Sequence, residues 1–205
     1  RKSFLSPSRQ LMILGEGLYY YLWNMRTNTG IDFPFKIEKL CWANQQDSLY
    51  IIRRIEKDGI PNWVISLFDV HNDQLTDYTI SSNNSSILLD VQICCAPNNQ
   101  HIALAWTHQG THLRILDSQL TNSILSLDDM RYFRNLEWSP NSRYLACTRG
   151  FDMVVSDGTQ VRTLFPDIGW VSKLNWTRRG IIFNGEKGLR MITSKDLSNR
   201  FNLDL

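Results

Sequence analysis

The side chains able to do chemistry are few and oddly spaced. Twelve residues separate Cys95 from His108, and His108-x-x-x-His112 has the second-pair spacing of a zinc finger. The first pair fails, because Cys94 and Cys95 are adjacent and would point to opposite faces of a strand, whereas a finger needs two to four intervening residues. Gly110 between the histidines reads as a hairpin tip, not as part of a helix. No metal and no cofactor is expected. Cys41, Cys94, Cys95 and Cys147 form no C-x-x-C pair and lie in apolar, strand-like contexts, where a reduced buried thiol is the commonest state. A Cys94–Cys95 bond would be strained, and a bridge through Cys41 or Cys147 stays open. Nucleophile elbows, phosphate-cradling loops and His-Glu-x-x-His are all missing. Asp32, Asp69, Asp90, Asp117 and Asp157 recur at predicted strand ends and turns, where carboxylates bond the local backbone. The chain therefore reads as a non-enzyme, with one alternative: a pair of carboxylates acting as acid and base or nucleophile on a glycoside.

The elements that must carry these residues repeat. Leu136-Glu-Trp-Ser-Pro-Asn-Ser-Arg-Tyr-Leu-Ala-Cys-Thr148 reads as a strand end, a turn and a short apolar strand. Segments 4–14, 41–52, 94–104 and 174–183 lie over it, with Leu5, Trp42, Cys95, Trp138 and Trp176 equivalent. Successive offsets of 37, 53, 43 and 38 residues match the period of a four-stranded propeller blade, about 40 residues. Third strands are predicted at 19–25, 63–70, 112–117, 153–156 and 189–193, with hairpin turns at Lys57-Asp-Gly59, Asn72-Asp73, Asp157-Gly158 and Gly185-Glu-Lys-Gly188. No apolar run has convincing helical period. The most helix-like piece, 127–133, falls where a blade-to-blade connection belongs, and 200–203 reads as the last fourth strand.

This pattern resembles the WD40-like propeller repeats of the TolB family, which begin apolar-x-Trp-Ser-Pro-Asp-Gly. Trp138-Ser139-Pro140-Asn141 carries that resemblance most closely; Trp176-Thr-Arg178, Trp42-Ala-Asn44 and Cys95-Ala-Pro97 depart from it. True WD40 repeats carry Gly-His and Trp-Asp dipeptides that do not occur here. The resemblance implies an all-β propeller and an extracytoplasmic bacterial setting, the periplasm. We expect one propeller domain over 1–205, with about five blades at 1–37, 38–90, 91–133, 134–171 and 172–205. A small closed ring is the preferred arrangement; an open array or part of a larger ring remain alternatives.

Composition excludes some partners. With 42% hydrophobic and 20% charged residues and a net charge of +2, the chain has core material but no field that makes nucleic acid the default partner. Its apolar stretches, such as 18–23 and 102–106, are far too short to cross a bilayer as a helix. The chain opens at Arg1 without a leader-like segment, which reads as a processed chain or an excised domain that an upstream anchor could have preceded.

In a four-stranded meander, the turn from strand two to three and the connection to the next blade emerge on one face. The longest repeat lengthens both, at 55–62 and in the Ser81–Ser86 tract, and the other connections of that face carry Tyr132, Phe133, Trp170 and His108. Aromatics among polar residues suit a binding patch. We therefore expect a protein-binding module that contacts its partner through Tyr132, Phe133, Trp170, His108, Asn83, Asn84 and Asp58. Two alternatives are a ligand-sensing domain of a membrane-anchored transcriptional regulator and a carbohydrate-binding propeller. Trp42, Trp138 and Trp176, at repeated inner-strand positions, are read as core. If the chain is exported in a eukaryote, Asn83-Asn-Ser85, Asn84-Ser-Ser86 and Asn175-Trp-Thr177 read as glycosylation acceptors, the last masked by its predicted strand.

Overall fold

A computed structural model describes residues 2–43, 47–57, 59–81 and 89–204. They form five antiparallel sheets, each built from consecutive strands. The first holds β1 (Lys2–Leu5), β2 (Leu11–Glu16), β3 (Tyr19–Asn24) and β4 (Thr29–Asp32); the second, β5 (Lys39–Trp42), β6 (Ser48–Lys57), β7 (Ile60–Asp69) and β8 (Gln74–Ser81). The third holds β9 (Leu89–Cys95), β10 (His101–Thr107), β11 (Thr111–Asp117) and β12 (Ser123–Asp129); the fourth, β13 (Phe133–Trp138), β14 (Leu145–Arg149), β15 (Asp152–Ser156) and β16 (Val161–Phe165). The fifth has three strands, β17 (Val171–Thr177), β18 (Gly180–Gly185) and β19 (Gly188–Thr193), followed by helix α1 (Ser194–Phe201). The chain divides into two compact units: 1–88 with 119–121, and 89–118 with 122–205. Sheets one and two belong to the first unit and sheets three to five to the second.

Within each unit, neighbouring sheets pack face to face through alternate side chains, the arrangement that period-two burial dictates. In the first unit, Leu11, Ile13, Tyr20 and Leu22 of sheet one meet Leu49, Ile51 and Phe68 of sheet two. In the second, Ala103, Leu113 and Ile115 meet Trp138, Leu145 and Val154, and Ala146, Met153 and Val155 meet Trp176, Ile181 and Phe183. The repeated tryptophans tie these layers. Trp138 Nε1 donates to the Cys94 carbonyl at 3.0 Å and Trp42 Nε1 to the Phe4 carbonyl at 3.4 Å, so each indole bonds the first strand of the preceding sheet. Their polar atom is satisfied while the ring fills the core, as a buried Trp requires.

Several expectations are corrected. The stretch 55–62 is mostly strand: the β6–β7 ladder continues through Ile55↔Asn62 to Lys57↔Ile60, so the insertion lengthens the two strands of a hairpin. Among the described residues β8 pairs with β7 only as far as Trp63, so Pro61, which has no N–H to give, interrupts no β7–β8 bond there. The connection expected at 127–133 is shorter, since β12 runs to Asp129 and β13 starts at Phe133. The predicted last strand at 200–203 is instead the end of α1 and an extended tail. Thr193 caps this helix by accepting from the Asp196 N–H at 3.1 Å, and Asn202 ends it in the left-handed region at φ 54°. Leu197 and Leu203 anchor it in the core between sheets four and five. Two apolar residues four apart, Leu197 and Phe201, were too little period to read. Cys41 and Cys95 are disulfide-bonded, whereas Cys94 and Cys147 are free thiols.

Candidate partner-binding site

Three first strands of the second unit begin with an irregularity. The ladder shifts opposite Ala105–Thr107 in β9, between Arg134 and Glu137 in β13, and between Val171 and Lys173 in β17. Asp90 and Asn135 adopt positive φ of 50° and 55° there, a conformation that Asp and Asn tolerate through local hydrogen bonds. Asn135 Nδ2 donates to the Val171 carbonyl at 2.9 Å, tying β13 to β17. Such bulges re-aim side chains at strand ends. Here they bring Asp90, Arg134 and Trp170 together from three successive sheets.

Arg134 is the centre of this cluster. Its guanidinium lies 5.2 Å from the ring centre of Tyr132 and 4.8 Å from that of Trp170, and its Nη2 donates to Asp90 Oδ2 at 2.6 Å. Both rings remain 50% exposed. At exposed sites each cation–π contact is worth about 0.5–1 kcal/mol, far below the roughly 3–5 kcal/mol carried by a fully buried tryptophan. The cluster is therefore a minor contributor to folding, and its apolar surface is left facing solvent.

The loops beneath it are held firmly. The Gly150 N–H donates to the Tyr132 carbonyl and the Ile168 N–H to the Phe151 carbonyl, both at 2.8 Å. The Trp170 N–H donates to Glu186 Oε1 at 3.2 Å and the Asp167 N–H to Asp152 Oδ1 at 3.0 Å. Arg131 bridges Asp129 at 3.3 Å and Asp152 at 3.1 Å. Asp129 loses some acidity to partial burial, but hydrogen bonds from Arg131 outweigh it and hold the carboxyl below its ordinary range. Met130, 87% exposed, and Phe151, 56% exposed, extend the apolar surface on the same connections.

The residues singled out from sequence fare differently. Tyr132 and Trp170 meet around Arg134. Phe133 is corrected: it is 1% exposed and packs between sheets three and four, because as the first residue of β13 it points inward while Tyr132 lies outside the strand. His108 sits on the β10–β11 turn with another set of residues. There His112 Nε2 bonds the His108 carbonyl and Nδ1 bonds Asp128, both at 2.8 Å, and Trp106 stacks on His112 at 5.0 Å. Arg114 also reaches Asp128 at 2.8 Å; hydrogen bonds from Arg114 and then His112 lower the Asp128 pKa. Both ring nitrogens of His112 thus have protein partners, and Cys95 is engaged in a disulfide. Asp58, Asn83 and Asn84 lie outside the described residues. Asn175 is exposed in spite of its strand, so the expected masking does not hold.

Arg134, Met130 and Phe151 were missed. Their signal was positional: each stands in or beside a connection of the face already chosen for Tyr132 and Trp170. The two free thiols make poor nucleophiles. Burial, with the Glu137 charge second, pushes Cys94 up to about 12, and burial does the same to Cys147.

No family model and no curated protein matches the chain. Solved structures do. TolB from Acinetobacter baumannii is similar over 95% of this chain and 52% of its own, at 12% identity and a TM-score of 0.60. A protein described as a TolB of Agrobacterium tumefaciens covers 88% of this chain and 68% of its own, at 11% identity and a TM-score of 0.60. Dipeptidyl peptidase 4 of Porphyromonas gingivalis covers 95% and 38% respectively, at 11% identity and a TM-score of 0.64. The fold is thus a TolB-like β-propeller fold, and the chain spans about half the length of the first of these proteins.

Proposed function

We propose that this chain is a non-catalytic propeller module that binds a protein through the Tyr132–Arg134–Trp170 cluster. The observation that carries the reading is the cluster itself, an arginine stacked between two half-exposed rings. Tyr, Trp and Arg are the types that dominate binding energy when a partner desolvates them. Backbone hydrogen bonds already fix the loops, so little ordering entropy is lost on association. Met130 and Phe151 supply apolar area around the centre, and the Asp129–Arg131–Asp152 pairs supply a polar rim.

The disulfide-bonded Cys41 and Cys95 support an extracytoplasmic setting, because such bonds persist in oxidising compartments. No helix among the described residues is long and apolar enough to cross a membrane.

The test is affinity capture from the source organism with wild-type protein and with a Tyr132→Ala/Trp170→Ala variant shown to be folded. A protein retained by the first and lost by the second is the expected result. Equal retention by both, or capture by neither, would remove the reading; binding of glycans instead would favour a carbohydrate site.

A further inference from the structure

Four of the five sheets cover their third strand with a fourth; among the described residues, sheet five does not. Its third strand, β19, is therefore an edge, and five of its six residues are exposed, whereas β7, β11 and β15 are mostly buried. An edge presents a row of unpaired N–H and C=O groups to any extended chain. Two common ways of blunting it are missing: β19 has no Pro, and its register with β18 runs from Gly180↔Thr193 to Gly185↔Gly188 without a bulge. Helix α1 leads the chain away from this edge, and beyond it Asp204 is tied to the β13–β14 turn. Its N–H donates to the Tyr144 hydroxyl at 3.1 Å, and its carbonyl accepts from Asn141 Nδ2 at 3.0 Å. Every described strand already has its place in a sheet.

The repeat says what an added strand must bring. Two residues beyond the second-strand partner of each repeated start, the cross-strand row reads Leu14–Tyr21–Asp32 in sheet one and Ile51–Ser66–Asp77 in sheet two. It reads Leu104–Arg114–Ser126 in sheet three, Cys147–Val154–Thr163 in sheet four and Phe183–Arg190 in sheet five, where it stops. The fourth-strand member is an oxygen acceptor in all four complete rows. Where the third strand carries Ser66, Asp77 accepts from it at 2.6 Å and from Arg53 at 2.8 Å. Where it carries Arg114, Asp128 of the fourth strand accepts from Nη1 at 2.8 Å. Arg190 is the counterpart of Arg114, and it has no ion-pair partner among the described residues.

The adjacent position is equally regular. The counterparts of Leu189 are Ile65, Leu113 and Met153, and the fourth-strand residues opposite them are Tyr78, Leu127 and Phe165. Each is large and apolar or aromatic, the pairing that covers an apolar cross-strand neighbour. Leu189 itself is 76% exposed, and Met191 on the same face 47%.

We infer that β19 takes an extended segment of a partner protein as a fourth, antiparallel strand, with an acidic residue opposite Arg190 followed by a large apolar or aromatic residue opposite Leu189. Ladder hydrogen bonds supply the affinity and the two side chains the specificity, as in strand addition generally. A second copy of β19 does not meet this requirement, because Gly188–Thr193 contains no acid.

Sheet two supplies the probe for the test. A labelled peptide with the sequence of residues 74–80, whose Asp77 and Tyr78 would stand opposite Arg190 and Leu189, is titrated into the purified protein and followed by fluorescence anisotropy. Saturable binding is expected, weakened on the order of tenfold by Arg190→Glu, because like charges opposite each other across a ladder repel. The Asp77→Lys peptide should bind wild type poorly and the Arg190→Glu variant well; the first of these arms leaves the protein untouched. Hydrogen exchange at the β19 amides should slow when the Asp77 peptide is added. No saturable binding at millimolar peptide, or equal binding by wild type and Arg190→Glu, would overturn the inference. So would slow exchange along β19 before peptide is added, which would assign the edge to the protein's own chain or, if it fades on dilution, to a second copy. A Tyr132→Ala/Trp170→Ala variant should bind the peptide as wild type does, so either proposal can fail alone.

Discussion

Trp138 and Trp170 are separated by one repeat and put to opposite uses. Trp138 stands at the end of β13, 6% exposed, with its indole N–H on the Cys94 carbonyl and its ring stacked 6.0 Å from His101. Trp170 stands just before β17, half exposed, with its ring on Arg134 and its backbone held by Glu186. The difference is one of strand phase. A residue inside a first strand is committed to a face between sheets, while one in the connection before it is released to the surface. In a propeller repeat, position relative to the strand therefore says more about an aromatic residue's role than its type does.

The largest expected effect tests the buried member of the pair. Trp138→Ala should lower unfolding free energy by about 3–5 kcal/mol, through a cavity between sheets three and four. Urea titration followed by far-UV circular dichroism would measure it. Next comes the exposed member. Trp170→Ala or Arg134→Ala should weaken binding of the captured partner by at least about 2 kcal/mol, roughly thirtyfold, if the cluster is the centre of the contact. Titration calorimetry would give the figure. Arg134→Lys should fall in between, because an ammonium loses the planar stacking on both rings.

Glu137, next to Trp138, sharpens the comparison by pH. Burial raises its pKa, opposed by a backbone hydrogen bond from Trp176 and by the Lys173 charge. A carboxyl raised on folding stabilises the fold while it stays protonated, and that contribution is lost as pH rises through the folded value. Glu137→Gln should then raise the melting temperature at pH 8 and change it little at pH 4, as a thermal scan would show. The smallest effect belongs to Asp157, on the β15–β16 turn. Partial burial opposes its ionisation, but hydrogen bonds from Thr159 and Gln160 prevail and bring it down to about 2. Its contribution is present above the unfolded value of about 3.9 and fades as pH falls towards 2. The gap between wild type and Asp157→Asn should close over that interval in acid denaturation, and it should be small because the carboxylate is partly exposed.

Much of the architecture was legible because a repeat multiplies weak signals. One Trp-Ser-Pro-Asn turn says little, but five equivalent starts fix a strand period and place Trp138 and Trp176 in the core, with Trp42 half-buried against it. Local exceptions were not legible. Helix α1 rests on two apolar residues and a Thr193–Asp196 cap, a signal too short to outweigh the expectation of a fourth strand. The 55–62 hairpin looked like a loop because Lys57, Asp58 and Gly59 are turn formers, yet the ladder runs on through Ile55↔Asn62 to Lys57↔Ile60. At the site, Tyr132 and Trp170 stood out as aromatics in connections. Phe133, one residue into a strand, could not be told from its neighbour without the phase. Arg134 was invisible, because its partners lie 44 residues upstream at Asp90 and in the next connection at Trp170.

The most direct test is a pair of chemical unfolding curves, one for Trp170→Ala and one for Trp138→Ala, each set against wild type. The account predicts that Trp170→Ala stays within about 1 kcal/mol of wild type, since only exposed stacking contacts are lost. Trp138→Ala should lose several times as much. Comparable losses in the two would show that Trp170 belongs to the packing between sheets, and the binding face would have to be sought elsewhere.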